Sequence, residues 1–165
     1  MGFLYPIPKN IKINIAPQEG ELAHENFTHC YYALDFLVPN GTKVIAAKAG
    51  TVVYVKDDSD EYGAGIAFAD KANLIVINQG TTFAEYVHFG KGQVKVRVGD
   101  TVKAGDLLGH VGLSGCITEP HLHFNVYMLM ANMTTSIPIS FVPRKVSKAY
   151  LFLQRSLEFF RLNQD

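Results

Sequence analysis

Cysteine is scarce in this chain of 165 residues. Cys30 and Cys116 are its only two, too few for a disulfide scaffold, and they allow either one bridge or two thiols. Neither sign of charge is in excess: fifteen Lys and Arg face fifteen Asp and Glu, for a formal net charge of zero. No basic surplus therefore argues for nucleic-acid binding, and no charge run argues for disorder. No apolar window is long enough to span a bilayer. The N-terminus lacks a basic region followed by an apolar core and a small-residue cleavage site, so an export signal is expected to be absent, already removed or of another type. What is present is 48% apolar residues, at a length that fits one domain with a full-sized core.

Strand signals dominate the first four-fifths of the chain. Residues 11–15 alternate as an edge strand, 31–38 form a strongly apolar strand, and 43–47 and 51–55 follow, separated by turns at Pro39-Asn40-Gly41-Thr42 and Ala49-Gly50. Residues 73–78 and 82–89 read as a hairpin. Residues 94–98, 101–103 and 107–111 read as very short strands between Gly-Asp turns. The rhythm Pro39-Asn40-Gly41-Thr42-Lys43-Val44 with Ala49-Gly50 returns as Val98-Gly99-Asp100-Thr101-Val102 with Ala104-Gly105, which suits a compact barrel or sandwich of hairpins. The charged stretch 56–65 is expected to be a solvated loop. Asp58, Asp60 and Gly63 echo the opening of a calcium loop, but Tyr62 and Ala69 stand where further ligands belong. Residues 134–143 read as turns. Ser147 is placed to cap a helix over 148–162 with Tyr150, Leu153, Leu157 and Phe160 on one stripe, which either docks on the domain or offers a partner surface.

The chemistry gathers around Pro120-His121-Leu122-His123-Phe124-Asn125-Val126-Tyr127. Alternation puts His121, His123 and Asn125 on one face of a half-buried strand, with the two imidazoles roughly 7 Å apart. A solvated sheet face would explain an isolated His-x-His equally well. Three more residues in or beside predicted strands, His29, Asp35 and His88, change the balance. Asp35 sits inside an apolar strand, where a carboxylate is costly to bury unless something positive satisfies it. A three-ligand metal site with an open fourth position needs such a set, drawn from distant parts of a sequence. His110 reads as structural or exposed.

The order of these segments resembles a known family. A His, then Tyr-Ala-Leu-Asp-Phe with Pro-x-Gly-Thr-x-Val-x-Ala-x-x-x-Gly-x-Val, then Tyr-x-His, Val-x-x-Gly-Asp-x-Val-x-x-Gly and Pro-His-Leu-His-Phe, over about residues 24–128, is similar to the lysostaphin and LytM zinc metallo-endopeptidases. The resemblance implies a mainly β, antiparallel domain of the duplicated-hybrid-motif type, close to lipoyl and biotinyl domains. Residues 1–23 would lead in, 24–130 would form the core, and 131–165 would be an extension with the C-terminal helix, a possible protein-binding surface. Carried over, His29, Asp35 and His123 would hold one Zn²⁺ with water in the fourth position, and His88 and His121 would be the catalytic pair. The implied activity is hydrolysis of peptide bonds in the stem peptide or cross-bridge of peptidoglycan, outside the cytoplasm.

The family commonly places its first ligand four residues before the aspartate, and Tyr31 occupies that position here. A subset has a longer gap, which this chain resembles. An even separation from Asp35 favours His29, and His24 is the substitute if a bulge or loop intervenes. Cys30 adjoins that ligand and Cys116 precedes His121, so a Cys30–Cys116 disulfide is a further expectation to be tested by thiol titration. Two other functions share the architecture. A degenerate member that activates another wall hydrolase would be expected to lose ligands or catalytic histidines, whereas the whole set is filled here. A lipoyl or biotinyl carrier would present a Met-Lys element that is absent, and a phosphocarrier would have no use for Asp35.

Overall fold

The structure, a computed structural model, describes residues 2–16, 30–130 and 133–143. His24, His29 and the helix expected over 148–162 lie outside the described residues. Among the described residues there are twelve strands: β1 (Asn14–Ile15), β2 (Leu34–Leu37), β3 (Lys43–Ile45), β4 (Gly50–Lys56), β5 (Tyr62–Gly63), β6 (Leu74–Asn78), β7 (Phe83–Val87), β8 (Thr101–Val102), β9 (Leu107–His110), β10 (Gly115–Cys116), β11 (His121–Met130) and β12 (Met133–Ser136). Eight of them form one sheet in the order β1-β2-β11-β7-β6-β4-β8, with β12 added alongside β11. Every pair in it is antiparallel, in line with the mainly β expectation.

β11 is long because its two faces do different work. Leu122, Phe124 and Val126 point into the core at 2% exposure or less. Phe36 from β2, Tyr86 from β7, and Ile75 and Ile77 from β6 join them. The separate β3–β9 ribbon contributes Val44 and Leu108, and the N-terminal Phe3 and Ile7 pack into the same cluster. The two copies of the sequence rhythm lie against each other. Gly50 and Thr51 pair with Val102 and Thr101, Ala46 N–H donates to the Asp106 carbonyl, and Gly105 N–H donates to Ala46.

Phe124 is the centre of the aromatic packing, with ring centroids 4.9 Å from Tyr86, 6.2 Å from Phe141, and 6.4 Å from both Phe3 and Phe36. Phe124→Ala removes these contacts and leaves a cavity, so unfolding free energy is expected to fall by about 3–5 kcal/mol. Urea denaturation checks this. A change below 1 kcal/mol would show that the core collapses around the gap.

Three stretches differ from the sequence reading. Residues 94–98 form no strand, because side chains take the ladder donors. Gln93 and Val94 N–H donate to the Asp57 carboxylate at 3.2 and 3.3 Å, and Arg97 N–H donates to Asp100 at 2.8 Å, so Lys95 N–H alone reaches Leu108. Conversely, residues 134–136, expected as turn, belong to strand β12. Ser136 is buried there, donating its hydroxyl to Asn125 Oδ1 at 2.9 Å and accepting Tyr32 N–H at 3.1 Å. The stretch after residue 56 holds β5 and a 3₁₀ turn over Ile66–Lys71, and β5 pairs in parallel with β10.

Candidate functional site

Sheet register builds the site. Antiparallel pairing sets His123 of β11 across from Asp35 of β2 and, on the other side, from Val87 of β7. Directly opposed residues project to the same face, so His123 and Asp35 meet on the side away from the core. His123 Nδ1–H donates to Asp35 Oδ1 at 2.9 Å, and His121 Nε2 lies 3.8 Å from the same oxygen. Asp35 is buried, at 5% exposure, in an otherwise apolar strand, and the two imidazoles are among the polar groups it faces. His121 Nδ1–H donates to the Glu119 carbonyl at 3.0 Å, which leaves Nε2 as the nitrogen turned to Asp35.

His88 reaches the site against the strand pattern. Val87 shares the face of His123, so simple alternation would send His88 with Tyr86 into the core. Instead the strand ends at Val87 and His88 has φ +74°, the one non-glycine with positive φ among the described residues. That left-handed backbone costs on the order of 1–3 kcal/mol for such a residue. It turns the ring back, to centroid distances of 4.7 Å from His121 and 6.2 Å from His123. Its Nδ1–H donates to the Ser114 carbonyl at 2.7 Å, leaving Nε2 as the acceptor. Burial, reinforced by His121 and His123, pushes the His88 pKa down to about 3, so the ring is neutral at pH 7.

The loop that brings Ser114 to His88 depends on close backbone contact. A Cβ on Gly112 would stand 2.2 Å from Gly90 Cα, so only glycine lets the segment after His88 lie against this loop. Gly112 N–H then donates to the His88 carbonyl at 2.8 Å. Nothing in the sequence marks Ser114, one small polar residue in a glycine-containing loop.

Of the five residues expected at the site, Asp35, His88, His121 and His123 converge, and His29 lies outside the described residues. His110 is elsewhere, half-buried at the end of β9. The donor set suits a divalent ion of zinc type: a carboxylate oxygen and an imidazole nitrogen 2.9 Å apart, near the roughly 3.3 Å that two ligands of a tetrahedral zinc span. Among the described residues, no third His, Cys, Asp or Glu completes a metal-binding group with these two.

The two cysteines are not bridged to each other. Burial, then the charges of Glu85 and Asp35, push the Cys30 thiol up to about 11, while Cys116 is partly exposed. Denatured, unreduced protein is therefore expected to titrate two thiols. In the native protein at pH 8 an alkylating reagent should label Cys116 well before Cys30, as peptide mapping would show. No titratable thiol in the denatured state would mean that the Cys30–Cys116 bridge forms.

Residues 29–135 match Peptidase family M23. The chain belongs to this family. Lysostaphin of Staphylococcus simulans is 34% identical over 113 residues, covering 68% of the M23 chain and 21% of lysostaphin. The peptidoglycan DD-endopeptidase ShyA of Vibrio cholerae is 29% identical over 167 residues, covering 98% of the M23 chain and 32% of ShyA. A crystal structure of a zinc-containing peptidase from Vibrio cholerae superposes with a TM-score of 0.58 at 25% identity, over 87% of this chain and 41% of that one. The M23 chain thus spans about a fifth to a third of the length of these curated relatives. The family resemblance carried by the five ordered motifs holds, and so does its mainly β fold.

Proposed function

We propose that this M23 chain is a zinc-dependent endopeptidase that hydrolyses peptide bonds of peptidoglycan. The observation that carries the proposal is the meeting of Asp35 Oδ1 and His123 Nδ1 at 2.9 Å beneath two further imidazoles, those of His121 and His88. Family membership and the names of the relatives supply the substrate class. Asp35 and His123 would hold the ion in place of the Nδ1 proton they share, with His29 as the third protein ligand. When bound, zinc lowers the pKa of a coordinated water and polarises a carbonyl oxygen.

The remaining roles belong to the two other histidines. His88 stays neutral, and with Nδ1–H committed to Ser114 its Nε2 accepts a hydrogen bond from the attacking water and orients it. Proton transfer is assigned to His121, whose Nε2 is the nitrogen turned to the Asp35 carboxylate. His121 Nε2 takes the proton of the attacking water. The Asp35 carboxylate 3.8 Å away stabilises the resulting imidazolium, which returns the proton to the leaving nitrogen.

The test is incubation of purified protein with peptidoglycan, before and after chelation and with zinc restored, reading new amine termini by mass spectrometry. Cleavage that stops on chelation and returns with zinc is expected, and the new termini name the bond. Intact peptidoglycan in the presence of stoichiometric bound zinc would overturn the substrate assignment. Failure to bind zinc would overturn the metal.

A further inference from the structure

His88 is held by a buried polar bracket that family membership does not assign. Asn73 immediately precedes β6 and is fully buried, as is Ser114. The Asn73 carbonyl accepts two consecutive main-chain donors, His88 N–H at 2.9 Å and Phe89 N–H at 3.3 Å. This doubled acceptance falls at the point where the β6–β7 ladder ends and the His88 backbone turns left-handed. The Asn73 side chain clamps the next residue: Nδ2–H groups donate to the Phe89 carbonyl at 3.1 Å and the Ser59 carbonyl at 2.8 Å, while Oδ1 accepts Ser59 N–H at 3.0 Å.

Ser114 closes the bracket. Its hydroxyl accepts Asn73 N–H at 3.0 Å and donates to the Phe89 carbonyl at 2.9 Å, and its own carbonyl takes the His88 Nδ1–H at 2.7 Å. With the hydroxyl proton committed to Phe89, Ser114 has none to offer to chemistry. The Asn73 amide donors and acceptor are likewise engaged. Both residues therefore act on the site only through where they put His88. We propose that Asn73 and Ser114 are positioning residues that hold the His88 backbone in its left-handed turn and its ring in the Nδ1–H tautomer. The catalytic consequence rests on the proposed endopeptidase reading, but the tautomer does not.

The first measurement uses the unmutated protein. Long-range ¹H–¹⁵N correlation spectra should show His88 as a single neutral Nδ1–H tautomer with a slowly exchanging ring proton. An Nε2–H tautomer, or a mixture, overturns the proposal whether or not any variant folds or any substrate is cut. Ser114→Ala and Asn73→Ala should then give mixed His88 tautomers. For peptidoglycan hydrolysis they should lower kcat by about 10- to 100-fold with KM changed little, the range typical of groups that orient a reacting residue. In a His88→Ala background the same substitutions should lower kcat no further, because their effect passes through the missing ring. Equal losses with and without His88, or an unchanged His88 tautomer in a slowed variant, would make the bracket merely structural. A protein that shows the predicted tautomers and cuts nothing would sink the enzyme reading and leave the bracket standing.

Discussion

His123→Ala and Asp35→Ala are each expected to abolish zinc retention and to lower peptidoglycan hydrolysis to the level of the chelator-stripped parent. The two side chains meet because β11 and β2 pair in a register that opposes them, and their donor atoms stand 2.9 Å apart. Removing either leaves the ion with too few protein ligands. His123→Ala also takes away a group that donates to a buried carboxylate, which costs stability on the order of 1.5–3 kcal/mol. Metal content by mass spectrometry must therefore be measured at a temperature where circular dichroism shows the variant folded. Asp35→Asn is the sharper variant, since it keeps size and hydrogen-bonding shape and loses only the charge. It should fold like the parent and bind zinc far more weakly. Full zinc occupancy and activity in either alanine variant would remove that residue from the proposed ligand set.

Much of the site is legible in the sequence wherever it depends on strict alternation. His121, Leu122, His123, Phe124 and Asn125 point where a period of two sends them, and an aspartate inside 34-Leu-Asp-Phe-Leu-37 marks a buried carboxylate in need of a partner. His88 is a candidate both by its place in a predicted strand and by the family resemblance, yet its direction is unreadable by the same rule. Counting in twos from Tyr86 puts it in the core, and a backbone turn with φ +74° reverses that. The groups that enforce the turn, Asn73 and Ser114, come 15 residues before and 26 residues after His88 and carry no pattern of their own.

The misread strands fail for the same reason. Residues 94–98 have alternating valines, but Asp57, 36 and 37 residues earlier than the donors it captures, takes the hydrogen bonds that a strand would need. Residues 134–136 look polar and turn-like in isolation, and become strand because β11 offers an edge and Asn125 offers a buried acceptor for Ser136. Local propensity is outweighed in each case by a partner distant in sequence, which one segment read alone does not contain.

His121→Ala is expected to lower kcat by about 10²- to 10⁴-fold while leaving bound zinc stoichiometric, the loss typical when a general acid–base group is removed. Its Nδ1–H is tied to the Glu119 carbonyl, so Nε2 is the nitrogen presented to Asp35, and that geometry fixes which nitrogen moves the proton. His121 is the better exposed of the two histidines that are not proposed ligands, with 14% of its side chain accessible against 7% for His88 overall. The comparison with His88→Ala decides the division of labour. If His121 carries the proton, a small external base such as imidazole should restore part of the rate to His121→Ala and none to His88→Ala, where orientation rather than basicity has been lost. Rescue of His88→Ala alone would exchange the two roles. A His121→Ala variant that sheds its zinc would instead make His121 a ligand, and the metal-content measurement on the same sample separates that outcome from a loss of proton transfer.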